Sequence, residues 1–437
     1  MFTQGWLLLA WFLLAVGVAT RHAFAFLLGL VVLGSAAASY LWDRYCLARV
    51  EYRRAFTPRR AFYGETVTFT MEVTNRKPPP RRAFYGETVT FTMEVTNRKP
   101  LPLAWLEVVD ELPQQLVPLY GRVIPSVRQR RHHLVNLFSV RWYERVRRHT
   151  TLRCDARGYF PLGPARLRSG DIFGFTVRGI DSEQVDHLLV YPRVVPLAAL
   201  GLPALYPLGD VRRRHLLEDP TRIAGTREYS PGDPLRAIHW KATARVQALR
   251  SKQYEASASH RLVIFVNLDT LGRYAEYRGF VRPLLELNIM TTASIANWAV
   301  ESGHHLGLFA NGYLPQGLRW VRILPAAGTS QLASVLEALA KIFPTPVMPI
   351  GDLMQLEASA LPWGTTAVVV TAVTDDPLRV GLARLADAGH ATVVILIGDE
   401  VAPPDMAVAT YRVPEARGWQ ALDGIVPQTI RAVEGER

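Results

Sequence analysis

Two uncharged apolar runs open the chain, one ending at Thr20 and one from Ala23 to Trp42, with only Arg21 and His22 between them. At 1.5 Å per residue, a helical run of about 20 residues crosses the roughly 30 Å hydrocarbon layer. The pattern therefore predicts a hairpin of two transmembrane helices over residues 1–43. Trp6, Trp11, Tyr40 and Trp42 are suited to the bilayer interfaces. A cleaved signal peptide is the alternative, with Ala36, Ala37 and Ala38 as small residues after an apolar stretch. It lacks a basic leading segment, since no lysine or arginine precedes Arg21. Arg44, Arg49, Arg53, Arg54, Arg59 and Arg60 follow the second run, against Arg21 alone in the loop. That bias predicts both termini and the soluble body on the cytoplasmic side of the cell membrane.

The periodicity then changes. TVTFTMEVT, residues 66–74, alternates apolar and polar positions with the two-residue period of a half-buried strand. The surrounding twenty letters, RRAFYGETVTFTMEVTNRKP, occur at residues 59–78 and again, unchanged, at 81–100, a shift of 22 residues. Lasting structural repeats drift in sequence and a solenoid needs more copies, so one copy is expected to be surplus. The second runs directly into Leu101-Pro102-Leu103 and is expected to hold the strand position. LAWLEVVDELP (103–113), RGYFPLGPARL (157–167), SGDIFGFTV (169–177) and HLLVYPRV (187–194) continue the short runs broken by Gly and Pro turns. They predict a β-sandwich over residues 44–200.

Residues 201–260 read as a connector and a polar motif, GTREYSPGDPLRAIHWKATAR at 225–245. Asp233 stands where a helix N-cap belongs and Pro234 at the first helical position, so a helix is expected from there to Arg245. Arg236 with Trp240, and Lys241 with Arg245, are four apart and would share faces. Arg227, Glu228, Asp233, Arg236, Lys241 and Arg245 are then candidates for a partly buried ionic cluster around Trp240. Such a cluster serves either as a structural latch, the reading favoured here, or as a docking site for an anionic group. His239 reads as a helix-surface residue.

From 261 to 437 the pattern becomes α/β. LVIFVNLDT (262–270), HLGLFANG (305–312), TTAVVVTAV (365–373) and ATVVILIG (391–398) are nearly continuous apolar runs of the kind buried on both faces of a parallel sheet. Helical stretches at 280–303 and 375–388 alternate with them. The fold class is thus a membrane helical hairpin, a β-sandwich and a doubly wound, mainly parallel α/β domain.

Composition narrows the chemistry. Hydrophobic residues make up 49% and charged residues 20%, which excludes wholesale disorder. Cys46 and Cys154 are the two cysteines, too few for a disulfide framework or a thiolate zinc site. The net charge of +12 comes chiefly from arginine. Its densest stretch, residues 122–153, has Trp142 and Tyr143 nearby, yet it matches no nucleic-acid module. Exposed strands whose arginines meet acids elsewhere explain it as well. GxxxxGK[ST], HExxH, GxSxG and CxxC are absent from the sequence, so no catalytic constellation is assigned.

The whole layout resembles the bacterial "domain of unknown function 58" family. The resemblance rests on the apolar hairpin, RGYFPLGP, SGDIFGF, GTREYSPGDPLRAIHW with K-x-x-AR, and an α/β end similar to a von Willebrand factor A domain. It implies a membrane-anchored, non-enzymatic interaction or scaffold protein. Its expected partners are a MoxR-type ATPase and other von Willebrand factor A proteins, in protein assembly or maturation. Domains of that type often hold a divalent metal through Asp-x-Ser-x-Ser. The corresponding loop here is Asp269-Thr270-Leu271-Gly272-Arg273, where leucine and arginine replace oxygen ligands. Asp269 and Asp375 remain weak metal candidates, and no cofactor is expected. The alternatives are a hydrolase using these acidic loop ends and a weak nucleic-acid binder.

Overall fold

The computed structural model describes residues 2–57, 81–84, 88–171, 177–202, 218–230, 237–256, 261–272, 279–315, 317–362, 364–399 and 401–415. The chain divides into two compact units, Met1–Tyr191 and Pro192–Arg437.

The first unit opens with two helices, α1 (Phe2–Thr20) and α2 (Ala23–Tyr45). They pack side by side. A Cβ on Gly17 would stand 2.5 Å from the Phe26 backbone nitrogen, and one on Gly29 would stand 2.9 Å from Leu14. Over Ala23–Trp42, α2 is long and apolar enough to cross a membrane, with mean hydropathy 2.0 and only 11% of the stretch buried in the protein. The stretch expected as the first span yields a shorter apolar segment, Leu8–Thr20.

Twelve strands follow: β1 (Val50–Thr57), β2 (Arg81–Phe84), β3 (Thr88–Asn97), β4 (Leu103–Pro113), β5 (Leu116–Pro118), β6 (Arg122–Pro125), β7 (Arg131–Val140), β8 (Arg145–Cys154), β9 (Gly158–Leu162), β10 (Ala165–Gly170), β11 (Val177–Ser182) and β12 (Asp186–Tyr191). Two antiparallel sheets, ordered β1-β3-β8-β5 and β11-β10-β4-β7-β6, share one core, and β2-β12-β9 form a smaller sheet. Val89, Phe91, Met93 and Val95 of β3 meet Leu106 and Val108 of β4 and Leu134 and Phe138 of β7 in that core. The period-two pattern is the cause, because alternate side chains of a strand point to one face. β3 belongs to the second copy of the duplicated segment and lies between β1 and β8, with Phe56 opposite Phe91 and Phe91 opposite Thr150. The first copy, residues 59–78, lies outside the described residues.

The root of α2 is built into this unit. Cys46 and Leu47 belong to the core, and Trp42 packs against it. Lys99 Nζ donates to the carbonyls of Tyr45 (2.6 Å) and Cys46, at the helix C-terminus where a cation is favoured. Ser39 Oγ donates to Asp171 Oδ2 (3.0 Å).

In the second unit a hairpin of β13 (Glu218–Glu228) and β14 (Arg250–Ala256) brackets a short helix, α3 (Trp240–Val246). Next come β15 (Arg261–Val266), α4 (Arg282–Glu301), β16 (His305–Leu314), β17 (Gly317–Ala326), α5 (Thr329–Lys341), α6 (Ile350–Ala358), β18 (Thr366–Thr371), α7 (Asp376–Asp387), β19 (Ala391–Ile397) and β20 (Ala409–Val413). The six strands are ordered β17-β16-β15-β18-β19-β20, all parallel except the β16–β17 pair. Val263, Phe265 and Val369 face α6 and α7 through Leu353, Met354, Leu378 and Leu382. Helices α4 and α5 also lie against the strands. Both faces of the central strands are buried, as their unbroken apolar runs require. Residues 192–200, expected with the β region, group with this unit: Val195 N donates to Ser294 Oγ (3.0 Å) on α4.

Candidate functional site

The carboxyl ends of the parallel strands carry a buried polar network. In register, Val266 of β15 stands opposite Ala310 of β16 and Val370 of β18. The next residue on each strand is polar, so Asn267, Asn311 and Thr371 form a row across three neighbours, all buried. Asn267 Nδ2 donates to Thr371 Oγ1 (3.0 Å), and Asn311 Nδ2 donates to Asn267 Oδ1 (2.9 Å). Asn311 Oδ1 accepts from Leu268 N (2.9 Å), and Asn288 Nδ2 on α4 donates to the Asn267 carbonyl (2.7 Å). Ligands of open α/β sheets bind at this edge. Sequence reasoning passed over these four residues, although for Asn267, Asn311 and Thr371 the signal was present: the apolar runs of β15, β16 and β18 each lead into an amide or a hydroxyl.

The two acidic candidates border this edge, and backbone groups already hold them. Asp269 Oδ1 accepts from Leu271 N (2.9 Å) and Gly272 N (3.1 Å). Asp375 caps α7 by accepting from Leu378 N (2.9 Å). Thr270 Oγ1 accepts from Val281 N (2.8 Å), fixing the far side of the loop. Arg273 lies outside the described residues. A hard cation needs several converging oxygens, and among the described residues no three His, Cys, Asp or Glu side chains converge on one point. The described part of this loop offers one acidic side chain, Asp269, with an oxygen already engaged by backbone amides.

The polar motif departs from its expected form. Helix α3 begins at Trp240, because Ile238 is buried in an antiparallel bridge to Ser251 and His239 N donates to Arg250 O (2.8 Å), which breaks the continuous helix expected to Arg245. His239 therefore caps the helix, its Nδ1 accepting from Ala242 N (3.0 Å). Trp240 is 66% exposed, and Lys241 and Arg245 are exposed as well, so among the described residues no buried ionic cluster surrounds the indole. Arg227 Nη1 donates to the Glu228 carbonyl (3.2 Å) in the hairpin. Asp233 and Arg236 themselves lie outside the described residues.

A buried ionic centre does exist elsewhere, in the first unit. Arg54 on β1 and Asp110 on β4 are each 1% exposed, with Nε to Oδ1 at 2.8 Å. Arg54 Nη1 also donates to the carbonyls of Leu162 (2.9 Å) and Gln184 (3.0 Å) and lies 3.5 Å from Asp186. Tyr52 donates its hydroxyl to Asp110 Oδ2. Burial, then the Asp110 charge, pushes the Tyr52 phenol well above its ordinary value, and burial also raises the Asp110 carboxyl. Breaking such a pair costs about 3 to 5 kcal/mol. This centre explains the RGYFPLGP segment: its Leu162 carbonyl is a ligand of Arg54, and Gly163 makes room for the guanidinium.

The arginines of residues 122–153 largely meet acids. Arg128 and Arg131 approach Glu111 (3.0 and 3.5 Å), Arg145 and Arg147 approach Glu94 (3.4 and 2.7 Å), and Arg148 lies over the Phe138 ring at 4.5 Å.

Residues 225–410 match the family model described as protein of unknown function DUF58. Over that region the chain is similar to the DUF58 family. The matched region begins inside β13, takes in α3 and runs through β19 into β20. The uncharacterized protein YeaD of Bacillus subtilis is 25% identical over 164 residues, which is 36% of this chain and 37% of that protein. Among solved structures, a non-cellulosomal cohesin from the archaeon Archaeoglobus fulgidus overlaps 25% of this chain and 84% of its own at 10% identity, with a TM-score of 0.17. A GH20 exo-β-N-acetylglucosaminidase from Vibrio harveyi overlaps 79% of this chain and 76% of its own at 9% identity, with a TM-score of 0.20. Overlaps this shallow identify no shared fold.

Proposed function

We propose that this chain is a membrane-anchored interaction protein without a catalytic reaction of its own. Both N-terminal helices cross the bilayer, the soluble body is cytoplasmic, and the α/β unit is von Willebrand factor A-like. Its partner surface is the carboxyl edge of the mixed sheet, engaged by a MoxR-type ATPase during protein assembly or maturation. The observation that carries this reading is the chemistry of that edge. Asn267, Asn288, Asn311 and Thr371 are neutral groups that fix loop backbone, and each neighbouring carboxylate has an oxygen engaged by backbone amides. Such an edge presents a loop of defined shape, and among its described residues no nucleophile is paired with a base. The hydrolase alternative would need Asp269 or Asp375 released from its turn.

The test is affinity capture of the tagged full chain from native membranes, compared with Asn311→Leu. The ATPase should be recovered with the wild type and reduced at least about tenfold with the variant, a coupling of about 1.4 kcal/mol. Equal recovery from an equally folded variant would move the partner surface elsewhere, and hydrolysis lost in Asp269→Asn would favour the enzyme.

A further inference from the structure

We infer that the turn formed by residues 141–144 is a membrane-contacting finger that seats in the anionic headgroup layer of the leaflet from which α2 emerges. This inference rests on the membrane-anchored reading above. The turn joins β7 to β8 at the end of the two-sheet unit where β1 begins, β3 ends and α2 is rooted. Its place there is fixed by a continuous run of hydrogen bonds: Tyr143 N donates to the Lys99 carbonyl (3.3 Å), and Lys99 Nζ donates to the last carbonyls of α2. Asn97, fully buried, grips both sides of the turn. Its Nδ2 donates to Arg141 O (2.8 Å), and its N donates to Glu144 O (2.9 Å).

What this rigid turn displays has no use within the unit. Trp142 is 64% exposed and Tyr143 is 69% exposed, and Tyr143 is held in the left-handed region at φ 54°. Aromatic rings with one polar atom favour the bilayer interface, where ring and polar atom are both satisfied. The acid of the turn is turned inward, since Glu144 Oε2 accepts from Arg141 N (2.6 Å). Around the same end, Arg44, Arg49 and Arg141 are exposed and form no ion pair among the described residues, whereas Arg98 is held by Glu51 (3.1 Å) and Arg145 by Glu94. Exposed guanidinium groups beside exposed aromatics at the exit of an apolar helix complement lipid phosphate and are drawn to an anionic leaflet.

The test uses the full chain in phosphatidylglycerol vesicles carrying bromine high on the acyl chains. Emission belonging to Trp142 is the difference between wild type and Trp142→Phe, and that of Trp11 in α1 is obtained likewise from Trp11→Phe. Shallow bromine should cut the Trp142 emission to about half, as for a ring at the interface. The quenching should shrink by about half in phosphatidylcholine or when Arg44, Arg49 and Arg141 are all changed to Gln. Trp142 unquenched while Trp11 is quenched overturns the finger and leaves the anchor standing. Neither quenched overturns the anchored reading and the finger with it. Equal quenching in both lipids overturns the assignment to anionic headgroups.

Discussion

The guanidinium of Arg54 occupies the space a side chain on Gly163 would need: a Cβ there would stand 2.5 Å from Nη1 and 2.7 Å from Nη2. Gly163 also has φ 98°, where a side chain is strained. Gly163→Ala should therefore lower the stability of the first unit by about 2 to 4 kcal/mol, combining backbone strain and overpacking. Denaturant unfolding of the full chain, followed through its tryptophans, measures this, and a change below about 0.5 kcal/mol would refute the close fit.

Tyr52 gives a pH dependence of known sign. Its phenol keeps the proton in the folded state beyond the point, near pH 10, at which the unfolded chain releases it. The stabilisation is complete below about pH 10 and is lost as pH climbs through the raised value. The stability gap between wild type and Tyr52→Phe should be flat at neutral pH and narrow in alkali. A gap that widens or stays constant above pH 10 would contradict the buried hydrogen bond to Asp110.

Lys99 joins α2 to the sheets. Burial lowers the pKa of its ammonium, yet two helix-end carbonyls depend on it. Lys99→Met should cost about 1 to 3 kcal/mol, the range for leaving buried acceptors unsatisfied. Trypsin should then cleave after Arg49 several-fold faster. Unchanged cleavage would show that Cys46 and Leu47 alone hold the root.

With Asp269 Oδ1 engaged by two amides and Leu271 offering no oxygen, Mg²⁺ should not bind the full chain more tightly than about 100 µM, the weak end of protein cation sites. Calorimetry on detergent-solubilised protein decides it. Tight binding that disappears in Asp269→Ala would reverse the conclusion.

Deleting residues 59–80 joins Pro58 to Arg81 and keeps one whole copy of the repeat. Loop length carries little free energy, about 0.6 kcal/mol per doubling. Membrane insertion should therefore be unchanged and the melting temperature should stay within about 2 °C. A variant that fails to fold would make both copies integral.

The strands were legible because burial on one face or on both leaves a distinct letter pattern, as in β3 and β15. The Arg54–Asp110 pair was not legible. Its members lie on strands of different sheets, 56 residues apart, and only the fold brings them together. A single helix running unbroken to Arg245 is not what forms: Ile238 bridges Ser251 and α3 begins at Trp240, while Asp233 and Pro234 lie outside the described residues. The Asn267, Asn311 and Thr371 row was written in the strand ends and was overlooked because amides carry no charge to attract notice.

The placement of β3 between β1 and β8 has a consequence for how this protein tolerates damage. The strand is encoded twice, letter for letter, so either copy can make the same cross-strand pairs. Choosing the first copy would shorten the connection from β1 and lengthen the one to β4. Closure entropy varies only logarithmically, so the two changes offset to within about 1 kcal/mol. If the first copy can take that place, with Phe69 standing for Phe91, the full loss of about 3 to 5 kcal/mol expected for an emptied aromatic site should appear only when both are changed. Letter identity gives the centre of this sheet a candidate spare, in the engineering sense, which the strands around it lack in the sequence.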